Sequence, residues 1–170
     1  MKIRIIAVGN IKEKYLQLGI KDYLDKVNFY ANTEIVELPA ENLSSDPSDF
    51  EIENSKIKEG KKILKAIKDN DFVINLDLNK KEMDSIEFAK YLNDSLVKGG
   101  SSVTFVIGGS YGLSDEVKKR ANDSISLSKM TYLHTMTRLI LLEQIYRAFK
   151  INKGETYHKW INQNLKNINH

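Results

Sequence analysis

The sequence predicts an α/β fold in which a mostly parallel sheet carries helices on both faces. Short β-branched runs alternate with longer segments whose apolar residues recur at helical spacing, an alternation typical of parallel sheets. Glycines follow two of the strand-like runs, where the chain must turn. At 170 residues, with 41% hydrophobic and 29% charged side chains, the chain has the size and composition of one globular domain.

The predicted elements alternate along the whole chain, without an internal repeat or a low-complexity tract. They are, in order, strand 3–8, helix 15–27, strand 34–38, loop 39–49, helix 52–67, strand 72–76, helix 84–97, strand 103–107, a helix from 114, strand 125–127 and helix 134–151. Asp84 stands three residues before Glu87, the spacing of a capping box. Gly99 and Gly100 are expected to end that helix, and Ser114 is expected to begin the next.

The last predicted helix, 134–151, is apolar on more than one side. Its apolar residues are Met136, Leu139, Ile140, Leu141, Leu142, Ile145, Tyr146 and Phe149. Such a helix lies at the centre of a core or is shared between a core and a dimer interface, and we favour the shared helix in a chain this small. Arg138 and Arg147 interrupt the apolar surface and are expected to need an anionic or aromatic partner.

Positive charge is concentrated in the last third of the chain. Residues 1–117 carry 16 Lys and Arg against 20 Asp and Glu, whereas residues 118–170 carry 10 against 3. The net charges are therefore −4 and +7, which indicates either a polyanionic partner contacted through the last third or a solvated basic face. Segment 154–160 adds Tyr157, His158, Lys159 and Trp160, and such a mixture suits stacking on unpaired bases and contact with phosphates.

Several classes of protein are excluded. Cysteine is absent, which removes disulfides, thiolate metal sites and a cysteine nucleophile, and fits a reducing cytoplasm. No apolar run approaches the ~20 residues of a membrane span, and residues 1–8 do not have the pattern of a signal peptide. We therefore expect a cytoplasmic protein with no membrane partner and no metal.

The stretch Gly108-Gly109-Ser110-Tyr111-Gly112 matches the G-x-S-x-G pattern of serine hydrolases, with two aspartates (Asp115, Asp123) and His134 following in triad order. The next helix starts too late for a sharp turn at Ser110, and His134 follows after only 24 residues. We therefore expect no esterase activity. The glycines indicate instead a tight turn or a close approach of a ligand at a strand end. Neither the dinucleotide fingerprint nor the Walker lysine is present.

Three blocks of the sequence resemble one known family. They are Phe105-Val106-Ile107-Gly108-Gly109-Ser110-x-Gly112, Leu127-Ser128-Lys129-Met130-Thr131, and the run 138–151 followed by Gly154-Glu155-x-Tyr157-His158-Lys159. They are similar to the ribosomal RNA large subunit methyltransferase H (RlmH) family of SPOUT-class methyltransferases. The resemblance extends from Ile3 to Lys159, so we expect one domain over 1–159 and an extension of unassigned role over 160–170.

The resemblance implies transfer of a methyl group from S-adenosylmethionine to N3 of a pseudouridine in 23S rRNA of the assembled ribosome. It also implies a C-terminal trefoil knot and an obligate homodimer in which the partner completes the site. The family's cofactor contacts correspond to Leu76, Gly108, Leu127, Ser128, Lys129, Met130, Thr131 and Tyr132.

The candidate catalytic residues are His134, Arg138, Tyr157 and His158. The target N3 must lose a proton, so we expect His134 or His158 to accept it. We expect Arg138 to stabilise negative charge on the target or to hold the RNA, and Tyr157 to stack on or orient the target.

Two positions depart from the family pattern. Leu133 stands where a proline usually precedes the histidine, which predicts a less rigid loop, and Lys80 replaces a glycine after the third strand. A non-catalytic ribosome-binding module is the alternative function, because it would share the basic tail but need no cofactor cavity. A serine hydrolase that uses Ser110 is the other alternative.

Overall fold

The computed structural model describes residues 1–157, so His158 and the extension 160–170 lie outside the described residues. Five strands and five helices alternate: β1 Lys2–Val8, α1 Lys14–Asn28, β2 Asn32–Leu38, α2 Asp49–Ala66, β3 Val73–Glu82, α3 Ser85–Lys98, β4 Ser102–Ile107, α4 Asp115–Arg120, β5 Asp123–Ser126 and α5 His134–Asn152. This order confirms the predicted α/β alternation. No helix within the described residues is long and apolar enough to cross a membrane.

The five strands form one sheet in the order β2-β1-β4-β3-β5, and every neighbouring pair is parallel. The predicted parallel sheet is therefore confirmed. The central strands are buried on both faces, as the full burial of Ile5, Ile6, Phe105 and Val106 shows. Because all strands run the same way, their carboxyl ends and the loops that follow lie along one edge of the sheet.

Helices cover both faces of the sheet. The face that carries Ile3, Ile5 and Phe105 packs against α1, α3 and α5, and the opposite face packs against α2 and α4. α5 lies between α1 and α3, and no residue from His134 to Ile151 is fully exposed. This confirms that α5 is buried on more than one side.

Two element boundaries differ from the sequence expectation by more than two residues. α2 begins at Asp49 rather than 52, because Ser48 and Glu51 form a capping box within the predicted loop. β3 continues to Glu82, because Leu76 and Lys81 both pair with Ile125 and the residues between them form a bulge.

The bulge in β3 shows which residue after the third strand needs a left-handed backbone. Its left-handed residue is Asn79, with φ of 59°, and not Lys80. Asparagine tolerates this conformation better than other non-glycine residues, so Lys80 does not need a glycine's freedom. The predicted capping box at Asp84 and the helix end at Gly99 are both confirmed.

Candidate functional site

A cavity of about 480 Å³ lies at the carboxyl edge of β3, β4 and β5. This is the size of a small-molecule site, and its position is where open parallel sheets bind ligands. The cavity is lined by Lys56, Leu76, Asp77, Leu78, Ile107, Gly108, Gly109, Ser110, Tyr111, Gly112, Leu113, Lys118, Ser126, Leu127, Ser128, Met130, Thr131, Tyr132, Leu133, His134 and Thr137.

The glycine-rich turn after β4 forms one wall of the cavity. The amide of Gly112 donates to the carbonyl of Gly109 at 3.1 Å, and Gly112 has φ of 86°. A Cβ at Gly108 would lie 2.9 Å from Cδ2 of Leu113 and 3.0 Å from the carbonyl of Gly112. The turn itself therefore requires glycine at this position, and the same turn brings backbone against the cavity.

The loop between β5 and α5 forms the facing wall. Oγ of Ser128 accepts from the amide of Met130 at 3.0 Å, and the carbonyl of Ser128 accepts from Oγ of Ser126 at 2.9 Å. Leu76, Gly108 and all but one of the predicted cofactor residues in the loop line the cavity. Lys129 is the exception, since it is exposed and outside the lining.

His134, the first residue of α5, also lines the cavity. A Cβ on Gly9 would lie 3.0 Å from its Nε2, so the imidazole is packed against the end of β1. Burial lowers the pKa of His134, and the charge of Arg138 lowers it further while Glu13 opposes the shift. The imidazole is therefore neutral at neutral pH and can accept a proton.

Arg138 is fully buried and does not line the cavity. One terminal nitrogen donates to the carbonyls of Val8, at 2.9 Å, and Gly9, at 2.5 Å. The other donates to Oε2 of Glu37 at 2.9 Å. These contacts join α5 to the ends of β1 and β2, and Arg138 and His134 both lie against Gly9, where a Cβ would be 3.7 Å from Nη2 of Arg138 and 3.0 Å from Nε2 of His134. Its predicted contact with the target or the RNA stays a prediction.

Tyr157 packs against α1 and α5 and is not among the residues that line the cavity. Its hydroxyl pairs with that of Tyr23 at 3.1 Å and donates to Glu143 at 3.3 Å, and its ring packs edge-on against Tyr146. Burial and the bond with Tyr23 raise its pKa, so the phenol stays protonated. Glu143 follows His134 by two and a half helical turns, roughly 13 Å along α5, so one chain does not bring Tyr157 to His134. His158 lies outside the described residues.

The serine hydrolase triad is not assembled. Within residues 1–157 no hydrogen bond joins Ser110 to His134 or to either aspartate. Asp123 accepts from the hydroxyl of Tyr91 at 2.9 Å and begins β5, at the edge of the sheet opposite the cavity. Asp115 is exposed at the start of α4. Ser110 is a wall residue of the cavity.

Sequence reasoning did not predict four charged residues near the cavity. Lys56, Asp77 and Lys118 line it, and Nζ of Lys118 lies 3.5 Å from Oδ2 of Asp77. Glu59 is buried behind the turn, where a Cβ on Gly109 would lie 2.8 Å from its Oε2. Only Asp77 had a sequence signal, since it directly follows Leu76; the others have the helical spacing of ordinary surface charges.

The chain is similar to known proteins over nearly its whole length. A family model described as "Predicted SPOUT methyltransferase" matches residues 1–158. A protein of Clostridioides difficile is 53% identical and one of Enterococcus faecalis 50% identical, each over 159 residues that cover 94% of this chain and 100% of the relative. Both are named "Ribosomal RNA large subunit methyltransferase H".

A solved structure shows the same fold at low identity. A probable methylase family protein from Haemophilus influenzae has a TM-score of 0.51 and 12% identity, covering 92% of this chain and 69% of that one. The family model and the relatives confirm the resemblance that the three sequence blocks indicated. The chain therefore belongs to the SPOUT methyltransferases, in the ribosomal RNA large subunit methyltransferase H family.

Proposed function

We propose that this protein transfers a methyl group from S-adenosylmethionine to N3 of a pseudouridine in 23S rRNA of the assembled ribosome, in the cytoplasm. The observation that carries the proposal is the cavity at the carboxyl ends of β3, β4 and β5, because seven of the eight positions that correspond to the family's cofactor contacts line it. The name of the relatives supports large-subunit rRNA as the substrate class.

The residues around the cavity fit S-adenosylmethionine. Leu76, Ile107 and Leu127 give apolar surface for an adenine ring, and the turn after β4 and the loop after β5 present backbone polar groups beside it. The cofactor supplies an electrophilic methyl group on its sulfonium.

The chain's own contribution is positioning and proton transfer. The walls of the cavity hold the reactants in one arrangement, which supplies much of the rate of a displacement reaction. His134 is neutral and lies at the cavity, so it is placed to accept the imino proton of the target. Arg138 acts through His134, because its charge disfavours the imidazolium.

We propose that the active protein is a homodimer in which the tail of one protomer reaches the cavity of the other. The separation of Tyr157 from His134 within one chain supports this arrangement. Tyr15, Leu18 and Leu133 are 63%, 69% and 70% exposed. They lie at the same end of the α1/α5 pair, where Gly19 meets Leu139. Exposed apolar side chains at one end of two packed helices suit an isologous interface.

The function is tested by mass spectrometry of 23S rRNA. Ribosomes from cells that lack the protein are incubated with S-adenosylmethionine and either the wild-type protein or a His134→Ala or His158→Ala variant. We expect the wild type to add one methyl group to a pseudouridine, and at least one variant to slow single-turnover methylation about 10²-fold or more.

Two results would contradict the proposal. A methylated pseudouridine already present in rRNA from cells without the protein would show that another enzyme makes it. Binding to ribosomes with no calorimetric binding of S-adenosylmethionine would instead indicate the non-catalytic module. Unchanged rates in both histidine variants would exclude these two side chains as the proton acceptor while leaving methyl transfer intact.

A further inference from the structure

The cavity has one charged side. Among the residues that line it in the described chain, Asp77 is the only carboxylate, and Lys56 and Lys118 are the only lysines. The other lining residues are apolar, glycine or uncharged polar side chains, together with the neutral His134. Nζ of Lys118 lies 3.5 Å from Oδ2 of Asp77.

Close packing of α2 on α4 puts the two lysines on the same side. A Cβ at Gly60 would lie only 2.3 Å from Oγ of Ser114 and 3.4 Å from Cγ2 of Val117, so the helices meet at this glycine. Lys56 stands one helical turn before Gly60 on α2. Lys118 directly follows Val117 on α4. Both side chains therefore reach the cavity from the α2–α4 layer.

Both lysines keep donor capacity for a ligand. The contact of Lys118 with Asp77 measures 3.5 Å and that of Lys56 with Glu53 measures 3.4 Å. These are longer than the 2.7–2.9 Å typical of strong charge-assisted hydrogen bonds, and an ammonium carries three donors. The side chain of Lys118 is 41% exposed and that of Lys56 is 20% exposed. A ligand bound in the cavity would therefore shield its contacts with these ammonium groups from water.

We propose that Lys118 and Lys56 bind the α-carboxylate of the cofactor's amino-acid end, and that Asp77 binds its α-ammonium. The inference rests on the proposed function and assigns the charged side of the same cavity. A zwitterionic group needs both signs of charge close together, and within the lining only this side offers them. These three residues thereby select an adenosyl ligand that carries an intact amino-acid end.

Calorimetry with two ligands tests the assignment without catalysis. S-adenosylhomocysteine has the amino-acid end, and 5′-methylthioadenosine shares the adenosine and the thioether but lacks that end. We expect Lys118→Met and Asp77→Asn each to weaken S-adenosylhomocysteine about tenfold, the loss of one hydrogen bond to a charged group. Binding of 5′-methylthioadenosine should stay within about twofold of the wild type.

Lys119→Met is the matched control, because Lys119 is an exposed lysine on the same helix and does not line the cavity. It should bind both ligands as the wild type does. Two results would overturn this inference and leave the proposed function standing. One is an equal loss of affinity for both ligands in Lys118→Met. The other is unchanged affinity for both ligands in all three cavity variants, Lys118→Met, Asp77→Asn and Lys56→Met. A wild-type protein that binds neither ligand would overturn the proposed function as well.

Discussion

Arg138 connects three elements at the carboxyl edge of the sheet, through the carbonyls of Val8 and Gly9 and the carboxylate of Glu37. Without the guanidinium, the two carbonyls and the carboxylate lose their hydrogen-bond donor. We therefore expect Arg138→Gln to lower the free energy of unfolding by about 3 kcal/mol. Denaturant unfolding measures the loss. Arg138→Lys is the control. Its free energy of unfolding should lie between those of the wild type and Arg138→Gln, because lysine keeps the positive charge but not the planar set of guanidinium donors.

A fully stable Arg138→Gln protein without methylation activity would contradict this structural role. It would show that the guanidinium acts in catalysis, either on the substrate, as the sequence suggested, or through His134. The sequence could predict that an arginine among apolar residues needs a partner. It could not predict which partner, because Val8, Gly9 and Glu37 are about a hundred or more positions away along the chain.

His134 makes the stability of the protein depend on pH. Its folded pKa lies below the ordinary value of 6.5, because burial and the charge of Arg138 disfavour the imidazolium. Between the folded pKa and 6.5 the unfolded chain binds more protons, so stability falls as the pH decreases through this window. We expect the wild-type Tm to drop more between pH 7.5 and 5.5 than that of His134→Gln. If Tm depends on pH in the same way for the two proteins, the lowered pKa of His134 is contradicted.

Leu133 stands at the position where the sequence resemblance led us to expect a proline. The sequence predicted a less rigid loop because proline is missing. In the structure Leu133 is the N-cap of α5 with φ of −54°, which is the value that a proline ring would fix. The folded backbone is thus the one that proline would adopt, and the leucine adds freedom to the unfolded chain.

At the scale of elements, α2 and α4 pack closely at Gly60. A Cβ there would lie 2.3 Å from Oγ of Ser114, and Ser114 is the N-cap of α4. Alanine has the higher helix propensity, by roughly 1 kcal/mol. The forced separation of α2 from α4 should outweigh this gain, so we expect Gly60→Ala to lower the free energy of unfolding by about 2 kcal/mol. Denaturant unfolding measures the change.

Gly19→Ala is the matched control on α1. A Cβ at Gly19 would lie 3.3 Å from the methyl groups of Leu139, which can rotate away. We expect a change in the free energy of unfolding of less than about 1 kcal/mol. Similar values for the two alanine variants would show that α2 and α4 can separate without cost, and would weaken the placement of Lys56 beside Lys118.

Local signals predicted the elements well where the decisive residues were close in sequence. Asp84 and Glu87 fixed the start of α3, and Gly99 fixed its end. The extension of β3 to Glu82 could not be predicted, because it depends on pairing with β5 more than forty residues later. The same limit applies to the cavity, whose wall residues come from separate elements.

At the scale of the whole molecule, part of the positive charge in the last third is balanced by carboxylates from the rest of the chain. Arg138 is buried and pairs with Glu37, and Nζ of Lys118 lies 3.5 Å from Oδ2 of Asp77; neither carboxylate is counted in the net charge of the last third. Lys119 and Lys129 are exposed and carry charge that rRNA could contact. The net charge of +7 therefore overstates the surface available to a polyanion, because sequence alone does not separate buried from exposed cations.

If residues 154–170 of one protomer complete the cavity of the other, mixing two inactive variants should restore methylation activity. Leu127→Arg fills the cavity, and deletion of residues 154–170 removes the tail. Random pairing makes half of the dimers mixed, each with one intact site of two, so the mixture should regain about one quarter of the wild-type methylation rate. Dual-tag purification isolates the mixed dimer, in which the expected activity is about half.

The matched control pairs Leu127→Arg with Leu76→Arg, two variants that damage the same half of the site. Every mixed dimer then has two damaged cavities, and no activity should return. Purified mixed dimers of the first pair that stay inactive would contradict a shared site. So would a fully active wild-type protein that sediments as a monomer of 19.5 kDa, since one described chain keeps Tyr157 away from His134.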